Sequence, residues 1–131
     1  MPNGFDGSRE EWLRLEAPLQ SLDPALEAFG RRHSLVLSKN GGGWPERSFR
    51  WESGLSRLIQ VYLMDQASET YTVWICASQD RGRVRYWQRR TLRERIGIDE
   101  IAAELPDLLE TALALVRDWD AADLEVAGPV G

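Results

Sequence analysis

The chain has 131 residues, of which 43% are hydrophobic and 28% charged, with a net charge of -5, the composition of one ordinary globular domain. One cysteine excludes an intramolecular disulfide, and one cysteine with one histidine falls short of the nitrogen and sulfur ligands of a zinc site. No apolar run approaches the roughly 18 residues of a membrane span, and the opening residues carry no apolar targeting segment, so a cytoplasmic protein without membrane association is expected.

Residues Met1 to Gly7 are polar and Gly-containing, and read as a frayed end. Ser8 with Glu11 forms a capping-box pattern, and Trp12, Leu15, Leu19, Leu22, Leu26 and Phe29 recur at helical spacing. Pro18 and Pro24 interrupt that stripe. The expected result is a first helix from Ser8 to about Ala17, then a second with Asp23 as N-cap, Pro24 at the first helical position and its end close to Gly30.

Ser34 to Ser38 reads as an edge strand, and Gly41-Gly42-Gly43 as a flexible turn. Arg47 to Glu52, Arg57 to Met64, Thr70 to Ser78 and Arg83 to Thr91 then read as strands, separated by Ser53-Gly54, the polar stretch Asp65 to Glu69, and Asp80-Arg81-Gly82. Breaks this short imply hairpins and an antiparallel meander. A final helix is expected from Gly97 to about Trp119, with Asp99 as N-cap, Pro106 dividing it, and Ile101, Leu105, Leu108, Ala112, Leu115 and Trp119 as its packing stripe, widened by Leu109, Leu113 and Val116. Ala121 to Gly131 reads as a mobile tail. The fold class is therefore α+β: a four- or five-stranded antiparallel meander flanked by N-terminal helical segments and packed against a C-terminal helix. A single domain spans 1–131, with an ordered core of about 8–120.

Alternation assigns the strand faces. Ile59, Val61 and Leu63, and Tyr71, Val73, Ile75 and Ala77, form apolar rows for the core. A two-residue Arg81-Gly82 turn puts Ala77 opposite Tyr86 and Cys76 opposite Trp87, so that Val84 and Tyr86 join the apolar row. The opposite face then carries Gln60, Tyr62, Trp74, Arg85, Trp87 and Arg89. Tyr, Trp and Arg are the residue types enriched in binding hot spots, so Tyr62, Trp74, Arg85, Trp87 and Arg89 are the candidate contact residues. Helices on both sides of the strands in sequence offer a competing reading, in which two layers cover both faces and the tryptophans are core.

Charge is segregated along the chain. Seven arginines between Arg81 and Arg95 stand against Glu94 alone, a local +6, while nine acids from Asp99 to Glu125 stand against Arg117 alone, a local -8. The two blocks either neutralise each other or present separate poles. Arginine interleaved with aromatics on a sheet is also how some single-strand nucleic-acid binders work, though the acidic net charge and the absence of an RNP-like motif weigh against it.

Catalytic chemistry finds little support. His33 lies near a helix C-terminus, where its charge complements the macrodipole. Cys76 sits in an apolar strand and reads as an inert packed thiol. The triglycine lacks the helix and the Gly-Lys-Ser/Thr of a phosphate loop. No cofactor, metal ligand set or catalytic residue is assigned; an enzyme would need a site built on His33 or on carboxylates. The expected function is a non-enzymatic protein-binding module, with single-stranded nucleic-acid binding as the alternative. In size, charge and build the chain is analogous to toxin-neutralising immunity proteins and secretion chaperones, an analogy carried by no motif.

Overall fold

In the computed structural model, residues 9–40, 45–65 and 69–130 are described, residues 64 and 65 in their backbone only. Expectations for Met1 to Ser8, including the capping box, and for the triglycine loop lie outside the described residues. Two helices, α1 (Arg9–Gln20) and α2 (Asp23–His33), precede β1 (Leu37–Lys39), β2 (Glu46–Ser53), β3 (Leu55–Asp65), β4 (Thr70–Arg81) and β5 (Val84–Ile96). The helix α3 (Ile98–Asp118), a short helical turn (Ala121–Asp123) and β6 (Glu125–Pro129) complete the chain. The strands form one sheet in the order β1-β2-β3-β4-β5-β6, every pair antiparallel.

The α+β meander is as the sequence indicates, with six strands rather than four or five. The additional strand is β6. Its sequence Glu-Val-Ala-Gly-Pro carries almost no strand signal; it is held instead by pairing with Val84–Trp87 of β5 and by Leu124, which is buried in the core just before it.

Both N-terminal helices and α3 supply one side of a common core. Leu15 and Leu19 from α1, Leu22 just before α2, and Leu26 and Phe29 of α2 join Ile101, Leu105, Leu109, Ala112, Leu113 and Val116 of α3. The sheet answers with Phe49, Ile59, Val61, Leu63, Tyr71, Val73, Ile75 and Ala77. All but Phe49 belong to the rows that alternation assigns, and each is at most 1% exposed; Val84 and Tyr86, assigned with them, lie at the hairpin end, Val84 exposed and Tyr86 half-buried.

Both internal prolines are accommodated inside helices. Pro18 lies within α1 and Pro106 within α3, so neither ends a helix as expected. Burial on both sides of each proline explains this: Leu15 and Leu19 flank one, Leu105 and Leu109 the other, and packing of the apolar stripe outweighs a missing main-chain hydrogen bond. The stripe of α3 runs through Leu109, Leu113 and Val116, leaving Leu108 and Leu115 half-buried. Gly97 takes the N-cap position expected of Asp99.

At α2 the N-cap position is Leu22, with Asp23 one residue inside. The Asp23 side chain is drawn to Arg47 instead, where Nε donates at 2.7 Å. Gly30 does not end α2. A Cβ there would stand 2.7 Å from the Leu35 carbonyl oxygen and 3.1 Å from the Phe49 ring, so glycine permits the close approach, and Ser34 closes the helix in the left-handed region at φ 57°.

Candidate functional site: the uncovered face of the sheet

Because all three described α-helices contribute to the same core, most of the reverse face of the sheet lies outside it; at one end of that face Glu46, Ser48 and Thr72 are buried. The register builds that face row by row. Ser48, Gln60, Trp74 and Thr91 align across β2 to β5; so do Arg50, Leu58, Cys76 and Arg89; so do Glu52, Ser56, Ser78 and Trp87, continued by Glu125 on β6. All of these residues are partly or fully exposed except Ser48. The reading in which two helical layers bury Trp74 and Trp87 is not what the chain adopts.

The β4–β5 register differs from the expected one. Arg81 pairs with Val84 across a Gly82-Arg83 turn, Cys76 pairs with Arg89, and Ser78 pairs with Trp87. Gly82, at φ 63°, supplies the left-handed residue the turn needs. The displacement is an even number of residues, and side chains alternate with period two, so each side chain stays on the face assigned to it. Past Val73 a bulge shifts the pairing, and Arg93 reaches back to Glu100 and Glu104 of α3.

Four of the five candidate residues form one contiguous array. The Tyr62 and Trp74 rings stack at 5.5 Å with 16° between their planes. The Arg89 guanidinium lies 4.7 Å from the Trp74 ring centre and 5.3 Å from that of Trp87. The Trp74 indole N–H donates to Gln60 Oε1, and the Gln60 amide donates to Glu46 Oε2, which fixes the orientation of the indole. Rings and guanidinium are thereby held before any ligand arrives, and Trp87 remains 38% exposed, high for a residue type that is mostly packed away.

Arg85 lies on the same face at its hairpin end. It is bound to its cross-strand neighbour Asp80, with Nε 2.8 Å from Oδ1 and Nη2 3.3 Å from Oδ2. The hydrogen bond from Arg85 holds the Asp80 carboxyl below its ordinary value, and the same bond raises Arg85. The pair borders a depression of about 380 Å³ that also touches Arg50, Glu52, Ser56 and Ser78.

Alternation along β2, Ser48, Arg50 and Glu52 against Phe49 and Trp51, is the signal that would have added Arg50 and Glu52 to this face. Glu125 had no such signal. Counting Arg50, Arg85 and Arg89 against Glu46, Glu52, Asp80 and Glu125, the face carries mixed charge rather than a basic field. Cys76 lies between Leu58 and Arg89 in the lattice. Burial pushes its thiol pKa up from the ordinary value, against the pull of Arg50 and Arg89.

His33 stands apart from this face, on the helix layer. Its Nε2 lies 2.9 Å from Glu110 Oε2 and 3.0 Å from Oε1, and Phe29 packs on its ring at 4.8 Å. Among the described residues no group of three His, Cys, Asp or Glu side chains is placed to hold a metal ion, and no helix is long and apolar enough to cross a membrane. Comparison of the chain with protein-family models, with curated proteins and with solved structures finds no match.

Proposed function

We propose that this chain is a non-enzymatic protein-binding module whose partner docks on the uncovered sheet face through Tyr62, Trp74, Trp87 and Arg89, with Arg85 at the margin. The observation that carries this reading is the preassembled stack Tyr62–Trp74–Arg89–Trp87, half-exposed on a face outside the core. Rigid aromatic side chains bury large area at small entropic cost, and a guanidinium already held between two rings loses little freedom on binding. The analogy of size and charge with immunity proteins and secretion chaperones points to the same class of partner.

Single-stranded nucleic acid is the rival occupant, since bases stack on such rings. Phosphate neutralisation supplies most of that affinity, and here Arg85 is already committed to Asp80 while three further carboxylates share the face. Protein is therefore the occupant favoured. An enzymatic site would have to be built on His33 or on clustered carboxylates, and His33 is engaged with Glu110 away from this face.

Affinity capture from a lysate of the native host, with and without nuclease treatment and with the wild-type chain and the Trp87→Ala/Arg89→Ala variant as baits, tests the proposal. A protein retained by the wild type and lost from the variant is expected. Equal retention by both baits, or retention that vanishes with nuclease, contradicts it.

A further inference from the structure

We propose that the outer edge of β5, beyond the end of β6, is a strand-addition site for an acidic extended segment of a partner protein. The inference shares with the proposed function the idea that the partner is a protein and one residue, Arg89, whose guanidinium lies on the Trp74 and Trp87 rings while its main chain lies on this edge; the rest of the site stands on its own observations.

The first observation is an unfilled edge. β5 runs from Val84 to Ile96, but β6 pairs only with Val84–Trp87. From Gln88 onward the described strands pair with β5 on one side only, its β4 side. The Arg83 carbonyl accepts from the Val130 N–H, which fixes the phase of the ladder: Arg83, Arg85 and Trp87 present main-chain groups toward β6. By the same alternation Arg89 and Thr91 present an N–H and a C=O to the unfilled edge. Main-chain groups in this state are a template for another strand.

The second observation is charge. Arg89, Arg90 and Arg95 are exposed, and none of them forms an ion pair with a carboxylate among the described residues. Glu94 is the one acid between Arg81 and Arg95. Arg93 lies in the same stretch but is neutralised by Glu100 and Glu104. Arg89 and Arg90, as successive strand residues, point to opposite faces, so an added strand meets on each of its faces a cation that has no carboxylate partner among the described residues, Arg89 resting on the Trp74 and Trp87 rings. Two copies of this edge would repel each other, whereas an acidic strand gains main-chain hydrogen bonds and charge pairing together. The occupant is accordingly an acidic segment of another protein rather than a second copy of this chain.

A capped peptide, acetyl-Val-Glu-Val-Glu-Thr-Glu-Val-Glu-amide, is the probe, titrated into the 15N-labelled full chain with amide shifts and hydrogen exchange as readouts. Saturable shifts centred on Arg89 and Thr91, with slowed exchange of those two amides, are expected. The Thr91→Pro variant removes one outward donor, as proline does harmlessly on strand edges, and weakens binding about fivefold. Arg90→Glu/Arg95→Glu weakens it at least as much, and reads the site should Thr91→Pro fail to fold. Trp87→Ala leaves it intact, which separates failure of this site from failure of the aromatic face. Equal binding of the lysine counterpart, shifts confined to the Trp74 and Trp87 indoles, oligothymidylate taking the Arg89 and Thr91 amides in place of the peptide, or a dimer dissociated by Thr91→Pro would each overturn the proposal.

Discussion

Arg47 has no exposed side-chain surface, yet it keeps its charge because its hydrogen-bonding capacity is matched by nearby acceptors. Nη2 donates to Glu16 at 2.5 Å, Nε to Asp23 at 2.7 Å, and Nη1 to Asn40 Oδ1 and the Glu46 carbonyl at 3.0 Å each. Burial opposes the charge, and the Asp23 and Glu16 carboxylates outweigh it, so the pKa lies above the ordinary value. Arg47→Met would leave the buried Glu16 carboxylate without its cation, and a cost of about 3–5 kcal/mol is expected by urea unfolding; a loss below about 1 kcal/mol would show the cluster to be dispensable. Glu110 offers a milder test. The hydrogen bond from His33, supported by Arg32, holds its carboxyl below the ordinary 4.5. The stability this contributes is present above the unfolded value and is lost as pH falls through the lowered folded value. In a carboxyl NMR titration, His33→Ala should move the Glu110 midpoint back up; an unchanged midpoint would remove His33 as the cause. Little of this was legible in the sequence. Arg47 reads as an ordinary polar strand residue, since its partners Glu16 and Asp23 come from two helices well before it.

At the scale of elements, α3 is fastened to the sheet by Arg57. Its Nη1 donates to the Val116 carbonyl and, at 2.9 Å, to that of Trp119, while Nε donates to the Ser53 carbonyl at 3.0 Å. A cation at the C-terminal end of a helix satisfies carbonyls that the helix itself leaves open and complements its dipole. Arg57→Met should therefore cost about 1–3 kcal/mol and speed amide exchange in the residues around Trp119, with the N-terminal turns of α3 unaffected; uniform exchange along α3 would show that Arg57 is not a local fastener. Helices and strands were legible because their apolar periodicity reports burial directly, and the strand faces survived an error in the β4–β5 turn because the error was even. The sixth strand was not legible, since its place depends on a partner edge rather than on its own side chains. The continuity of α1 and α3 through Pro18 and Pro106 was hidden for a related reason, that tertiary packing overrides a local breaker.

For the molecule as a whole, the decisive fact is that both helical regions serve one core. Order in sequence, with helices before and after the strands, is compatible with covering one face or both, and composition does not choose between them. Covering one face places Tyr62, Trp74, Trp87 and Arg89 outside the core, and the proposed function rests on that placement. Fluorescence of a variant that keeps Trp87 as its sole tryptophan, the others replaced by phenylalanine, measures it directly. Acrylamide should quench Trp87 in the folded protein to a substantial fraction of the quenching seen in urea, and well beyond that of the corresponding Trp51 variant, whose indole packs against the core. Protection of Trp87 equal to that of Trp51 would mean that this face is covered, and would contradict the account.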